Sequence, residues 1–211
     1  MPRPPLVHTE EILRVARAHF TSGGHTVSVH AIARELGVSH SALLQRFGSK
    51  RCLLIRAMQP PPDFPWPESF LSGPPEGFDV AMEQLRESCE IIGAFFQEYS
   101  PCMSVLRAAG VEPHNIYPEG RPLLLRACEV IKSWVKRGQA RGLFAQCDPA
   151  VFASAIVGAV HTHAFLQTLI THDKERVELG SFDGFIDLFS QSINPTKFDH
   201  SVLTLHHHQG P

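Results

Sequence analysis

A short polar cluster between Ser28 and Lys50 holds the side chains best suited to chemistry in this chain of 211 residues. Gln45 can form a bidentate pair with adenine, and a serine hydroxyl can donate to or accept from a base edge. Arg46 and Lys50 can each neutralise a backbone phosphate. Side chains of these types within one short stretch are typical of a nucleic-acid-binding surface.

Signatures of catalysis and of metal binding are missing from the sequence. It has no GxSxG, no HExxH, no phosphate-binding glycine loop and no dinucleotide fingerprint. His161 and His163 lie two residues apart on a predicted helix and therefore point to nearly opposite faces. His206, His207 and His208 lie in a polar C-terminal tail and are interpreted as solvated residues or the remnant of an added tag. We expect no enzyme activity, no cofactor and no metal.

The cysteines and the apolar runs indicate the compartment. Five cysteines, widely spaced and without a CxxC motif, favour reduced thiols over disulfides or a zinc knuckle. No apolar run is expected to approach the roughly 18 residues that cross a bilayer. The first residues, MPRPPLVHTEE, lack the apolar stretch of a signal peptide. We therefore expect a cytoplasmic protein that does not enter membranes.

The formal net charge of −2 hides an asymmetry between the two parts of the chain. Residues 1–58 hold eight basic and three acidic side chains, a net charge of +5, so the remainder carries −7. A basic N-terminal segment on an acidic body suits phosphate binding by the first part and self-association or ligand binding by the second. Chance surface charge is the alternative.

Apolar spacing and capping residues predict four helices in the first 58 residues. The first spans about 9–21 with Thr9 as its cap, and the second spans about 29–36 after Ser28. The third starts at Ser39 and runs to Gln45 or Arg46. The fourth is capped by Ser49 and ends at the proline run 60–62.

The second helix, the turn at Gly37 and the third helix fit a helix-turn-helix. Such a unit needs a small residue where the helices cross and a glycine in the turn, which Ala33 and Gly37 supply. The N-terminal residues of its second helix reach base edges in the major groove. The candidate readers are Ser39, His40, Ser41, Ala42 and Gln45. The candidate phosphate contacts are Ser28, His30, Arg46, Lys50 and the N-terminus that Ser49 caps. A plain helical hairpin inside a bundle remains the alternative on spacing alone.

Residues 60–77 carry seven prolines and predict a stiff connector without regular helix. Its aromatic residues Phe64, Trp66 and Phe70 favour packing against the body over an SH3-type ligand.

After the connector the pattern is helical throughout. A stripe from Phe78 to Tyr99 predicts one helix that Pro101 ends, followed by a short helix at about 102–109 and an irregular VEPHNIYPEG segment. A helix then begins at Pro122, a long apolar helix spans about 149–171, and a last helix runs from Ser181 to Asn194. No alternating pattern indicates a strand.

The N-terminal run ILRVARAHFTSGGHTVSVHAIARELGVSHSALLQRFGSKRCLL resembles the N-terminal domain of the TetR (tetracycline repressor-like) family over about 43 residues. The matching positions are Phe20, Gly23, Ser28-Val29, Ile32-Ala33, Leu36-Gly37-Val38-Ser39, Leu43, Phe47, Ser49-Lys50 and Leu53-Leu54. A local likeness of RGQARGLFAQCDP to the loop before the family's penultimate helix extends the resemblance. It implies a transcriptional regulator that binds DNA.

Two positions depart from the family pattern. Leu44 is a tenth candidate DNA contact, but it stands where a tyrosine is usual and cannot give the hydroxyl that the family's tyrosine gives to a phosphate. Ser41 stands where a glycine is common. We expect weaker binding, or binding that depends more on Arg46, and an operator unlike that of better-known relatives.

The resemblance also implies roles for the body. The last two long helices would pair with their symmetry mates in a four-helix bundle, with a dimer interface of Phe152, Ile156, Val160, Phe165, Phe185, Ile186 and Phe189. The helices before them would enclose a pocket for a small hydrophobic effector, lined by Met82, Cys89, Phe96, Tyr99, Met103, Cys128, Ile131 and Trp134. For any one of these eight, an ordinary core position is the alternative.

The sequence thus predicts an all-α fold, with an N-terminal three-helix helix-turn-helix DNA-binding domain and a C-terminal helical ligand-binding and dimerisation domain. The expected limits are 1–58 for the DNA-binding domain, 59–77 for the connector, 78–198 for the helical body and 199–211 for a tail. The expected function is a ligand-responsive homodimeric repressor of a palindromic operator in double-stranded DNA. An all-helical small-molecule-binding protein with a structural N-terminal domain is the alternative.

Overall fold

The computed structural model describes residues 7–61, 66–117, 122–170 and 180–196. Regular structure in these residues is helical throughout, which confirms the all-α fold. In chain order the helices are α1 (Thr9–Gly23), α2 (Val29–Glu35), α3 (His40–Phe47), α4 (Lys50–Met58), α5 (Glu68–Ser72), α6 (Phe78–Ala108), α7 (Pro113–Ile116), α8 (Leu123–Ala140), α9 (Pro149–Ile170) and α10 (Phe182–Ser192). The predicted tail at 199–211, with its three histidines, and Phe64 of the predicted connector lie outside the described residues.

The chain forms two compact units. The N-terminal unit comprises Met1–Phe64 and Phe95–Pro122, and the second unit comprises Pro65–Ala94 and Leu123–Pro211. Helix α6 therefore contributes its first residues to the second unit and its last residues to the N-terminal unit. The expected domain limits near residues 58 and 78 stay a prediction.

Apolar residues that recur every three or four positions build the core of the N-terminal unit. Burying one large apolar side chain contributes about 1.5–3 kcal/mol, so helices as short as α2 and α3 depend on this core rather than on their own propensity. Residues beyond α4 complete it. The core includes Ile12, Val15, Phe20, Ile32, Ala33, Leu43, Phe47, Leu53, Leu54, Met58, Cys102, Leu106, Val111 and Ile116.

Three serine caps begin the helices where the sequence predicted them. The Ser28 hydroxyl accepts from the His30 N–H, that of Ser39 from the Ala42 N–H, and that of Ser49 from the Cys52 N–H. The predicted cap of α1 was wrong, because His8 holds the N-cap position and its side chain makes no capping hydrogen bond.

The predicted break at Pro101 was also wrong, since α6 is continuous from Phe78 to Ala108 with Pro101 inside it. A proline in a helix interior costs about 3 kcal/mol, because it lacks an N–H and crowds the carbonyl four residues earlier. Burial on the following turns offsets this cost: Cys102 and Leu106 are almost fully buried in the N-terminal core.

Two segments expected to lack regular structure contain short helices. In the connector, α5 occupies the proline-free residues 68–72 and buries Phe70. The Phe70 ring stacks on that of Trp134 with centroids 5.3 Å apart, so the expected packing of connector aromatics against the body is confirmed at Phe70. In the VEPHNIYPEG segment, α7 occupies Pro113–Ile116.

The second unit is built from α8, α9 and α10 with α5 and the start of α6. In α8 the buried face is Leu123, Ala127, Ile131, Trp134, Val135 and Gly138. Leu124 is exposed and Cys128 is only half-buried, so neither lies fully on this face. On α10 the carboxylates of Asp183 and Asp187 accept hydrogen bonds from Arg86 of α6.

Helix α9 is unusually apolar for a described helix of this chain. Its residues Pro149–Thr168 are long and apolar enough to span a bilayer by length and composition alone. This finding overturns the expectation that no such run exists. One helix of this kind is weak support for a membrane span, because core helices have the same composition.

Close packing at Gly138 gives a test of the second unit. A Cβ at Gly138 would lie 2.0 Å from the ring of Phe144, which is 2% exposed and packs 4.7 Å from the Trp134 ring, centroid to centroid. Because the ring has no free space to enter, Gly138→Ala should lower the free energy of unfolding by about 1–3 kcal/mol. Chemical denaturation measures the change.

The control is Ser133→Ala at an exposed position of the same helix, which should change stability by less than about 0.5 kcal/mol. Equal stability of the two variants would contradict the packing described here.

Candidate DNA-binding site

The turn between α2 and α3 sets the direction of α3. Gly37 adopts a φ of +66°, a left-handed conformation that residues with a Cβ rarely take. Next to it the Val38 N–H donates to the Ala33 carbonyl at 3.0 Å. Leu43 and Phe47 then point into the core, so the opposite face of α3 is exposed to solvent. The predicted helix-turn-helix geometry is present.

All ten predicted DNA contacts lie at least partly on the surface. Leu44, His40 and Lys50 are half-buried and the other seven are exposed. The exposed seven are Ser28, His30, Ser39, Ser41, Ala42, Gln45 and Arg46.

Six side chains from three helices surround one concave surface, which we call the α2–α4 hollow. Its volume is about 540 Å³, and its lining includes Ser28, His30, His40, Leu44, Ser49 and Lys50. Four of the predicted phosphate contacts, counting the Ser49 cap, thus meet at one place. Leu44 puts an apolar surface where the resembling family has a hydroxyl.

The hydroxyls at the start of α3 are already engaged. Ser39 Oγ accepts from the Ala42 N–H at 3.1 Å and lies 3.1 Å from Ser41 Oγ. These two serines therefore have less hydrogen-bonding capacity for a base than their exposure suggests.

Arg46 and Arg51 make hydrogen bonds that hold the N-terminal unit together. Arg46 donates to the Val7 carbonyl at 2.7 Å and to the Thr9 hydroxyl, which ties α3 to the start of α1. Arg51 donates to the carbonyls of Ala109 and Gly110, both at 3.1 Å, and so caps the C-terminus of α6. The positive charge of these two arginines therefore has a structural use.

Lys50 is the cation best placed for a phosphate. It begins α4 and lines the α2–α4 hollow. No ion pair of Lys50 is seen among the residues that the structure describes. Its ammonium can therefore meet an anion without first breaking an internal bond.

Arg17 joins α1 to α4 and to the last part of α6. Its guanidinium donates to the Ala57 carbonyl and to Glu98 Oε1, both at 2.8 Å, and lies 5.1 Å from the Tyr99 ring centroid. Burial raises the pKa of the Tyr99 hydroxyl, although the nearby guanidinium opposes the shift. The sequence analysis assigned no role to Arg17.

The imidazoles of His30 and His40 form a parallel stack. Their ring centroids are 3.9 Å apart and their planes differ by 9°. His30 is the second residue of α2 and His40 the first of α3, so the stack joins the starts of these two helices. Sequence analysis named both residues but had no signal for the contact.

Arg34 is a candidate contact that the sequence analysis missed. It is exposed and lines a second concave surface with Ser28, Ala31, Val38 and both histidines. A signal was present, because residues 30 and 34 are four apart and share one face of a helix.

The predicted effector lining falls in both units. Met82, Cys89, Cys128, Ile131 and Trp134 belong to the second unit, whereas Phe96, Tyr99 and Met103 belong to the N-terminal unit. Burial raises the pKa of the Cys89 thiol to about 12, so this side chain behaves as an apolar thiol. Trp134 is fully buried and its Nε1–H donates to Gln84 Oε1 at 2.8 Å.

Most of the predicted interface residues are covered by their own chain. Phe152, Ile156, Val160 and Ile186 are buried, and Phe185 and Phe189 are half-buried. Phe165 alone among the seven is exposed, at 42%. Because a side chain inside its own core cannot meet a partner, an interface on these helices has to use a different face.

Comparison with a family profile and with curated sequences locates the N-terminal match. The profile described as "Bacterial regulatory proteins, tetR family" matches residues 12–57, which include all ten predicted contacts. No curated protein sequence matches the chain.

Solved structures show the fold over most of the chain. NalD from Pseudomonas aeruginosa, the secondary repressor of the MexAB-OprM multidrug efflux pump, is 16% identical with a TM-score of 0.54, over 87% of this chain and 94% of that chain. A mutant of HlyIIR is 15% identical with a TM-score of 0.53, over 88% and 96%. PfmR, a TetR family transcriptional regulator from Thermus thermophilus, is 23% identical over 74% and 95%, with a TM-score of 0.48. The shared fold rests on the first two, and the N-terminal likeness rests on the profile: over residues 12–57, this chain is similar to the tetR family of bacterial regulatory proteins.

Proposed function

We propose that this DNA-binding transcriptional regulator is a cytoplasmic homodimer that represses from a palindromic operator and leaves it when a small hydrophobic effector binds. We propose no catalytic role, no resident metal or cofactor and no membrane partner. The profile match over residues 12–57 supports DNA-binding regulation, and the dimer, the repression, the operator and the effector are our additions.

The DNA-binding part of this proposal is supported mainly by one observation, the polar side chains that meet at the α2–α4 hollow. Ser28, His40 and Lys50 come from three helices and line the same concave surface. A hydroxyl, a ring N–H and an ammonium can all donate to phosphate oxygens or base acceptors. Gln45 lies on the exposed face of α3, where a bidentate contact to adenine would be made.

Selection from a randomised duplex pool tests this proposal. At about 0.1 M salt, where non-specific phosphate binding is weakened, the protein should enrich one palindrome. Gln45→Ala should lose preference at one position of each half-site, at a cost of about 1–3 kcal/mol. Gln97→Ala, an exposed glutamine on α6, is the matched control and should enrich the same site as the unaltered protein.

Failure to enrich any sequence across a range of salt concentrations would contradict sequence-specific binding. It would favour the all-helical small-molecule-binding alternative, with which the structural use of Arg46 and Arg51 is also consistent.

Leu44 offers a gain-of-function test on the same surface. A tyrosine hydroxyl at this position would regain the phosphate contact that the family pattern implies, and a hydrogen bond to a charged group contributes about 1.5–3 kcal/mol. Leu44→Tyr should therefore tighten binding to the selected duplex about tenfold, measured by fluorescence anisotropy.

Leu44→Phe is the control, since it adds the ring without the hydroxyl. If both variants bind alike, Leu44 does not face a phosphate and the proposed docking of α3 is wrong.

The proposed dimer uses the exposed face of α9. Val151, Ala155, Gly158, Thr162 and Phe165 are all exposed and follow one another at intervals of four and three residues, which places them on one side of the helix. Leu188 of α10 is 63% exposed. Small side chains on such a face allow a second helix to approach closely, so this face replaces the buried residues of the sequence-based prediction.

Ala155→Arg should disrupt this dimer, because it places a charge in the middle of the apolar stripe. Analytical ultracentrifugation at micromolar concentration should find two chains per particle for the unaltered protein and one for the variant. Ala140→Arg, at an exposed position of α8, should stay dimeric. Two chains per particle for Ala155→Arg would rule out this face.

We propose α6 as the route between effector and DNA. Its first residues lie in the second unit with Cys89 and the buried, unpartnered hydroxyl of Ser88, and its last residues contact Arg17. A ligand that orders the first part of a continuous helix can shift the equilibrium of its last part, with a coupling of about 1–3 kcal/mol in typical cases. The apolar residues expected around Cys89 favour a hydrophobic effector with one polar group.

A further inference from the structure

Few side chains at the start of α3 have hydrogen-bonding capacity left for a base. Ser39 and Ser41 are engaged with the helix cap and with each other. Ala42 has only a methyl group, and the Arg46 guanidinium is bonded to the start of α1. Among the described side chains of α3, His40 and Gln45 are therefore the candidate readers with no internal hydrogen bond.

The position of the His40 ring is restrained by its neighbour. The His30 ring covers one of its faces at 3.9 Å, and the two rings are nearly parallel. Both rings stand on capped backbone, since the His30 N–H donates to Ser28 Oγ at 3.2 Å and Ser39 caps α3. A stacked ring keeps its face covered and its edge free, and the edge carries the two nitrogens.

The stack also lines two concave surfaces, each of which has one cation in its lining. It borders the α2–α4 hollow, which Lys50 lines, and the second hollow, which Arg34 lines. Phosphates bound by Lys50 and Arg34 would leave the imidazole nitrogens available for a base. This arrangement favours base contact over phosphate contact for the histidine pair.

We infer that His30 and His40 form one reading unit, in which His40 donates an N–H to the N7 or O6 acceptor of a guanine and His30 holds the His40 ring in place by stacking. His30, expected from the sequence to touch the DNA backbone, is thus a positioning residue for base recognition. The inference rests on the proposed DNA binding. It adds the base that is read, guanine, and the separate roles of the two histidines.

Hydrogen-bond geometry supports guanine as the target. An imidazole N–H can meet the two neighbouring acceptors of guanine in the major groove, whereas adenine presents a donor beside its N7. Pre-ordering the ring by stacking lowers the entropy that binding would otherwise cost. The stack does not suit a metal ion, because one ion cannot lie in the planes of two parallel rings 3.9 Å apart.

The test runs the duplex selection in parallel on His40→Ala, His30→Ala, His30→Phe and the double alanine variant. His40→Ala should lower the preference for guanine at one position of each half-site about tenfold. His30→Ala should lower it at the same position about threefold, whereas His30→Phe, which keeps a stacking ring, should stay within about twofold of the unaltered protein. In the His40→Ala background, His30→Ala should change the base preference no further.

Thermal unfolding of each variant shows whether the fold is intact, which we expect because both positions are on the surface. An equal loss of affinity at every position of the site in His30→Ala, with base preferences unchanged, would make His30 a phosphate contact and overturn the inference. Additive effects of the two histidines would do the same. If the unaltered protein enriches no sequence, the proposed function fails and this inference fails with it.

Discussion

The whole DNA-binding surface depends on burying one side of an eight-residue helix. A helix of this length does not persist alone in water, so α3 exists because Leu43 and Phe47 are held in a core built from α1, α2 and α4. That core is closed by Cys102 and Leu106, about sixty residues further along the chain. The reading face of α3 is therefore kept in place by residues that never approach DNA.

Positive charge in the N-terminal unit is divided between holding the fold and attracting an anion. Arg17, Arg46 and Arg51 donate to backbone carbonyls and join helix ends that would otherwise fray. Lys50 and Arg34 line the hollows on the surface. The net charge of +5 over residues 1–58 still produces a positive field that guides a polyanion towards this part of the chain. Fewer cations are therefore available to contact DNA directly than the number of basic residues in 1–58 suggests.

The predictions from sequence were most accurate for features that depend on local chemistry. The caps Ser28, Ser39 and Ser49 and the turn at Gly37 depend on residues within a few positions, so their types and spacing were sufficient. The break at Pro101 was predicted from the same local rules, but burial of Leu106 in a distant core outweighed them.

On α9, apolar residues occur on all sides, so their spacing could not distinguish the side that packs inward from the side that is exposed to solvent. The stacking of His30 on His40 joins two helices, so the residue spacing within either helix gave no signal for it. Five of the eight residues predicted to line the effector pocket lie on α6, and this helix belongs to two units.

Helix α6 gives the chain a strict register. Residues before and after position 95 share one unbroken helix, in which each added residue turns all that follow by about 100° and moves them about 1.5 Å along the axis. One inserted residue between Tyr99 and Cys102 would turn Cys102 and Leu106 away from the core that Tyr99 also packs against, whereas the loops at either end of α6 impose no such restriction. Among related chains, length differences should therefore collect in those loops, and the span from Phe78 to Ala108 should keep its length while its exposed residues vary.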